Sequence, residues 1–304
     1  MDIGIIGSGK LANALCFALL EEKQNIVGIF SRNSDTQSKL CKSYTLNLEN
    51  SLKKTVSAAQ LIFICIADNG IERLSEEISH LDFLEKKIFL HTSGACSSEL
   101  LISLKNRGAY VGSLHPLQTF SDSAPHLLSE NLFKNIYYSF EGDEEAKRIA
   151  ANLVSKFKGF FVCIPKEKKA LYHLCASFIC NYSVTLSYIT EQLFEDLISQ
   201  EAKNPSLENT IPTETYPEGI LAPFRPILEK TLENIFKKGA LNSLSGPISR
   251  GDTMVVQSHL DELSHSNPNF LQCYKDLGKV AMLMAKKKGN LSFETLLDLE
   301  ALLS

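Results

Sequence analysis

Three groups of residues in this chain have the types and spacing that chemistry needs. The first is Gly7-Ser8-Gly9-Lys10-Leu11-Ala12, which follows the apolar run Ile3–Ile6 and opens a helical pattern. Small residues in a G-x-G-x-x-A turn let the backbone bend sharply, approach a pyrophosphate and pack helix against strand. The helix N-terminus adds free N–H groups and a partial positive charge, so Gly7, Ser8, Gly9, Lys10 and Leu11 are candidate dinucleotide ligands. The second group lies at two strand ends, His91-Thr92-Ser93-Gly94 and Leu114-His115-Pro116. Thr92 is placed on the cofactor side. Ser93 and Gly94 offer a hydroxyl and a bare N–H to a carboxylate, and His115, fixed before a proline, is suited to bond substrate or cofactor. The third group is Lys169, His173, Ser177 and Asn181, at intervals of four that share one helix face. Polar groups in so apolar a helix need partners, and a ligand pocket would supply them. Reducing a carbonyl needs a proton donor for the developing alkoxide. His173 fits that task near neutral pH, with Lys169 as the alternative donor and Asn181 as an orienting amide. A core histidine bonded to a neighbouring helix is the plainer reading of His173.

The second strand ends at Ser31-Arg32-Asn33. An acidic residue there would bond a ribose 2′-hydroxyl. Ser31 carries no charge to repel a 2′-phosphate and Arg32 can pair with one, which favours NADP(H). Asp35 lies too late to substitute well. The run Leu61–Ile66 leads into Ala67-Asp68-Asn69-Gly70, whose backbone should flank a ribose of the cofactor. The side chains of Asp68 and Asn69 are expected mainly to cap the next helix. Farther on, Gly246-Pro247-Ile248-Ser249-Arg250-Gly251-Asp252 forms a rigid turn. Arg250 could clamp a substrate carboxylate or merely pair with Asp252, and Asp252 reads as the N-cap of a helix starting at Thr253.

These groups need a scaffold, and the first half of the chain has the pattern for it. Apolar runs at Ile3–Ile6, Ile26–Phe30, Leu61–Ile66, Lys87–His91 and Tyr110–Leu114 alternate with amphipathic stretches. A weaker strand is expected over Tyr44–Leu48, and a strand–helix–strand unit over residues 136–164 closes this half. Buried runs separated by helices predict a mostly parallel, doubly wound sheet of the Rossmann type. After Pro165 the strands stop. One helix is expected over Lys169–Ile198, then a proline-dotted loop over residues 204–226, with a lid and a merely variable loop as its two readings, then four more helices from Ile227 to Leu303. The expected domains are a dinucleotide-binding α/β domain, 1–165, and an all-α substrate and dimerisation domain, 166–304.

Composition narrows the function. The chain has 304 residues, 44% hydrophobic and 22% charged, with a net charge of −4. That argues against nucleic-acid or anionic-membrane partners. No apolar run approaches the roughly 18 residues of a membrane span, and no signal peptide is evident. A cytoplasmic protein is expected. Eight cysteines lack C-x-x-C or zinc-finger spacing, so most are expected to be buried, reduced thiols, with Cys96 the best candidate for reactivity. No metal site is expected.

Taken together, the motifs resemble a known group. The N-terminal half is similar to the dinucleotide-binding domain of pyrroline-5-carboxylate reductases, 6-phosphogluconate dehydrogenases and 3-hydroxyacid dehydrogenases. The full length resembles a relative that joins this domain to a helical C-terminal domain of formerly unknown function. The resemblance rests on Gly7-Ser8-Gly9, His91–Gly94, Leu114–Pro116, Tyr172-His173, Asn181-Tyr182, Thr231–Asn234 and Gly246–Asp252. It implies an NADPH-dependent reductase and a homodimer formed through the helical domain. Some members resemble an alternative ketopantoate reductase, which implies reduction of 2-dehydropantoate to pantoate for pantothenate synthesis. Relatives use a lysine early in the long helix, where this chain's matching face also holds His173. An imine reductase of the pyrroline-carboxylate type and a non-catalytic NADP(H) sensor are the alternatives.

Overall fold

The computed structural model describes residues 1–46, 51–120, 131–201 and 219–304. They divide into two compact units, Met1–Tyr182 and Ser183–Ser304. The first unit runs β1 (Asp2–Ile6), α1 (Lys10–Glu21), β2 (Asn25–Phe30), α2 (Ser34–Ser43), α3 (Leu52–Ala58), β3 (Leu61–Ile64), α4 (Ile71–Ser79), β4 (Ile88–His91), α5 (Ile102–Lys105), β5 (Tyr110–Pro116), β6 (Tyr137–Gly142), α6 (Glu144–Lys156), β7 (Phe160–Cys163) and α7 (Lys169–Ile179). Seven strands form one sheet in the order β2-β1-β3-β4-β5-β6-β7. All neighbours pair in parallel except β5 and β6. The fold is the expected Rossmann-type sheet. The strands read as continuous apolar runs because both faces are covered: Leu61 and Phe63 enter one core, Ile62 and Ile64 the other. After β2 the chain returns across β1 to lay β3 on its far side. This reversal places the ligand crevice beyond the carboxyl ends of β1 and β3.

Several expectations need correction. Tyr44–Leu46 is not a strand. α2 runs to Ser43, Thr45 then takes the left-handed conformation at φ 55°, and the Tyr44 hydroxyl bonds Asn13 Oδ1 at 2.6 Å. Residues 47–48 of that expected strand lie outside the described residues. Helices α2 and α3 are short and polar, with a weak periodic signal. The long helix expected from Lys169 is broken: Cys180 N–H is shared between the Ala176 and Ser177 carbonyls, and α8 (Asn181–Glu201) starts anew. The sheet ends at Cys163, near the expected boundary, but α7 remains with the first unit. Nor are most cysteines buried. Cys16 and Cys41 are, whereas Cys163, on the edge strand β7, is exposed, as are Cys175 and Cys180, because the apolar α7 turns Leu171, Phe178 and Ile179 outward as well.

The second unit is helical: most of α8, then α9 (Arg225–Lys238), α10 (Ala240–Ser243), α11 (Pro247–Arg250), α12 (Thr253–Ser266), α13 (Pro268–Lys288) and α14 (Phe293–Leu303). Its buried cluster joins Val256 and Leu260 of α12 to Leu299 and Leu303 of α14. Asp252 caps α12 as expected, accepting from Val255 N–H at 3.3 Å. Most of the proline-dotted loop falls outside the described residues. No helix among the described residues is long and apolar enough to cross a membrane.

Candidate functional site

The turn after β1 explains its glycines. Gly7 has φ 127°, and a Cβ there would lie 2.1 Å from the Cys65 carbonyl oxygen. Only glycine fits so close to the end of β3. Its N–H bonds Phe30 O at 2.8 Å, locking the turn to β2. Gly9 precedes α1 and faces open space, while Ala12 is fully buried where helix meets sheet. The first N–H groups of α1 therefore face outward without helical partners.

Beside this turn the structure gathers hydroxyls. Ser8 Oγ donates to Ser31 Oγ at 2.8 Å and lies 2.6 Å from Thr36 Oγ1. Thr36 is in the first turn of α2, which Asn33 caps through the Asp35 and Thr36 N–H groups. Gly7, Ser31, Arg32 and Ala67 line a cavity of about 320 Å³. The Arg32 guanidinium sits at its rim, paired with Glu77 at 2.8 Å. Three hydroxyls and a guanidinium, with no carboxylate contributed by the end of β2, form a donor set for a 2′-phosphate. The open backbone at Gly9 fits a pyrophosphate, so the residues present match an NADP group. Thr36 was missed by sequence reading. Its signal is a hydroxyl in the first turn of the helix that follows β2.

Asp68 does other work than capping. Its Oδ2 accepts from Ser93 Oγ at 2.8 Å and contacts Cys96 Sγ at 3.6 Å. Ser93 Oγ also accepts from Ala95 and Cys96 N–H at 3.2 and 3.0 Å, so this hydroxyl is used within its own turn. Thr92 is buried and donates to Ile64 O at 3.4 Å, tying β4 to β3. His91, completely buried, bridges Ser97 O through Nε2 and accepts from Ser93 N–H through Nδ1. Burial pushes its imidazole down to about 4.

Lys169 lies beneath these turns, 1% exposed. Its Nζ donates to Ser113 Oγ at 2.6 Å and to Ser93 O at 3.2 Å, both uncharged partners. Burial lowers its affinity for a proton. Above it, His173, Ser177 and Asn181 line a cavity of about 670 Å³ with His115 and with Lys10 and Leu11 of α1. The expected helix face survives the break at Cys180, since Asn181 still reaches this cavity. The ring centroids of His115 and His173 are 6.1 Å apart, edge to face. A Cβ on Gly94 would stand 2.8 Å from His173 Nδ1 and 2.9 Å from His115 Nε2, so the bare backbone lets both imidazoles approach. Burial, reinforced by the Lys169 charge and by His173, holds the His115 imidazole down at about 4. Arg250 and Asp252 belong to the second unit. Among the described residues no cluster of three His, Cys, Asp or Glu is placed to hold a metal.

Residues 2–93 match the family model described as NADP oxidoreductase, coenzyme F420-dependent, and residues 136–281 match a domain of unknown function, DUF2520. No curated protein matches the chain. Among solved structures, a candidate NADP oxidoreductase from Bacteroides fragilis is 20% identical with a TM-score of 0.71, over 92% of this chain and 97% of that one. A protein from Thermotoga maritima is 24% identical at TM-score 0.66, over 94% and 99%. The 1-pyrroline-5-carboxylate reductase from Streptococcus pyogenes is 15% identical at TM-score 0.56, over 94% and 98%. At these identities the likeness is one of fold.

Proposed function

We propose that the chain, which pairs a Rossmann-type sheet with a helical C-terminal unit, is an NADP-dependent oxidoreductase that reduces a small carbonyl acid with NADPH, most specifically 2-dehydropantoate to pantoate. The observation that carries this reading is the single cavity joining the first turn of α1 to His115, His173 and Asn181. Its volume of about 670 Å³ suits a small ligand beside a nicotinamide. When bound, NADPH supplies the hydride. Gly7, Ser8, Gly9, Lys10 and Leu11 would hold its pyrophosphate, and Ser31, Arg32 and Ala67 its adenosine side. His173, on the cavity wall, holds the proton that the developing alkoxide takes. Asn181 orients the carbonyl, and Ser177 lies between them on the same wall. Lys169 serves as a buried positive charge beneath the site. With only uncharged hydrogen-bond partners, it favours a substrate carboxylate or developing oxyanion above it.

An imine substrate is the second reading. It is supported by the fold shared with the Streptococcus pyogenes enzyme and with a reductive aminase from Aspergillus terreus, the latter 14% identical at TM-score 0.54. The helical unit is the proposed homodimer contact. Among the described residues its Phe236, Met254 and Phe293 are 84%, 81% and 77% exposed, large apolar side chains that a second subunit would cover. Eight unpaired thiols suit the cytoplasm.

The test follows NADPH consumption with 2-dehydropantoate, running NADH and His173→Ala alongside. The expected result is turnover that is weaker with NADH and falls at least ~100-fold in the variant. Saturable NADPH binding without turnover would discard the pantoate assignment. Turnover with a cyclic imine acid alone would move the assignment to the second reading.

A further inference from the structure

One polar contact beside the cavity is left over by everything described so far. α7 brings the Tyr172 hydroxyl to 3.1 Å from His115 Nδ1, with the two rings edge to face at 5.6 Å. The far nitrogen, Nε2, has no partner among the described residues. It abuts Gly94, where no side chain can cover it, and the ring lines the large cavity.

Counting protons decides what His115 offers there. With its imidazole held down at about 4, the ring carries one proton at neutral pH. If that proton sat on Nδ1, it would bond Tyr172 Oη and displace the tyrosine's own proton. That proton would then have to turn away, toward the cavity that Tyr172 also lines. If the proton sits on Nε2, the Tyr172 O–H bonds Nδ1 directly. A phenol O–H donated to a basic imidazole nitrogen is a stronger bond than an imidazole N–H donated to a phenol oxygen, so the second arrangement prevails. We infer that His115 is a neutral hydrogen-bond donor to the reacting oxygen of the substrate through Nε2–H, held in that tautomer by the Tyr172 hydroxyl. A neutral imidazole polarises a carbonyl without giving up its proton, and so complements His173 rather than duplicating it. Tyr172 is a positioning residue. The tautomer stands on the structure alone, and only the identity of the acceptor rests on the proposed reduction.

The test uses the full chain labelled with ¹⁵N in its histidine rings, with two-bond proton–nitrogen correlation spectra near pH 7 and His115→Gln to assign the signal. The expected pattern for His115 is a protonated Nε2 with an unprotonated Nδ1. Tyr172→Phe keeps the ring against His115 but removes the hydroxyl, and should convert that pattern to a mixture of tautomers. In turnover, Tyr172→Phe should lower kcat about 10- to 100-fold while KM changes less than about threefold. A wild-type signal of the Nδ1–H tautomer or the imidazolium overturns the inference, as does a pattern unchanged in Tyr172→Phe. If the tautomer is as stated but no carbonyl acid turns over, the inference about His115 stands and the proposed reduction falls.

Discussion

The two units bury their apolar residues very differently. In the first, strands such as Leu61–Ile64 are covered on both faces, and Phe63 and Phe89 are almost wholly enclosed. In the second, the buried cluster joins α12 to α14, while Phe236 and Met254 project outward. Geometry makes the difference. A parallel sheet is wrapped by its own crossover helices, so local connections complete the core. A helix buries only the stripe that meets a neighbour, and its other apolar side chains wait for further partners. The first unit therefore carries a core closed by its own connections beneath the cofactor turn, whereas the second leaves large apolar side chains such as Phe236 and Met254 exposed.

The same substitution made in both units gives the largest expected effect. Phe63→Ala should destabilise by about 3–5 kcal/mol, the range for removing an enclosed ring. Phe236→Ala should cost under about 1 kcal/mol of fold stability, because its ring is already exposed. It should instead shift the protein toward smaller particles in light scattering as the concentration falls. Equal losses of stability, with an unchanged particle size, would break the contrast. The next effect comes from pH. Burial holds His91 and His115 down at about 4 in the folded chain, whereas an unfolded histidine titrates near 6.5. Between those values the unfolded chain binds more protons, so stability is full above about 6.5 and drains away as pH falls toward 4. The slope should be on the order of 1 kcal/mol per pH unit for each histidine. Urea titrations at pH 7 and 5 would read it, and His91→Asn should flatten it by about half. Cofactor choice should move less. Ser31→Asp places a carboxylate among the Ser8 and Thr36 hydroxyls, and should shift the NADPH/NADH preference about 10- to 100-fold toward NADH, measured as the ratio of Kd values.

The unequal units also explain what could be read from sequence. The Gly7–Ala12 turn was legible because its requirement is local: a backbone that bends against β3 permits only glycine at 7. Strands buried on both faces were legible as apolar runs, and Asp252 as a cap. Contacts made across the fold were not legible. Asp68 looked like a helix cap and instead holds Ser93; Ser93 looked free for a carboxylate and is used in its own turn. Lys169 and His173 share a helix face in sequence, yet the lysine is sunk under β4 and β5 while the histidine meets the cavity. No spacing rule separates two such depths. Cys175 and Cys180 misled for the reason that Phe236 does: an apolar stretch in sequence does not mean that its own unit buries it.

Thr36 offers the smallest and most selective test of the first unit's self-sufficiency. Its hydroxyl is exposed and touches Ser8 Oγ, and it also donates to Asn33 O at 3.2 Å. Thr36→Val keeps the shape and removes one polar atom. If the hydroxyl only steadies the start of α2, both cofactors should weaken equally and the melting temperature should fall slightly. If it belongs to the 2′-phosphate donor set with Ser31 and Arg32, NADPH should weaken about 3- to 10-fold, the worth of one hydrogen bond to a charged group, while NADH is unchanged. The second result is expected, because Asn33 Oδ1 already holds the Asp35 and Thr36 N–H groups and caps α2 without help from the Thr36 hydroxyl. A titration of each cofactor against wild type and variant separates the two outcomes. Equal weakening would remove Thr36 from the site and leave Ser31 and Arg32 to read the phosphate.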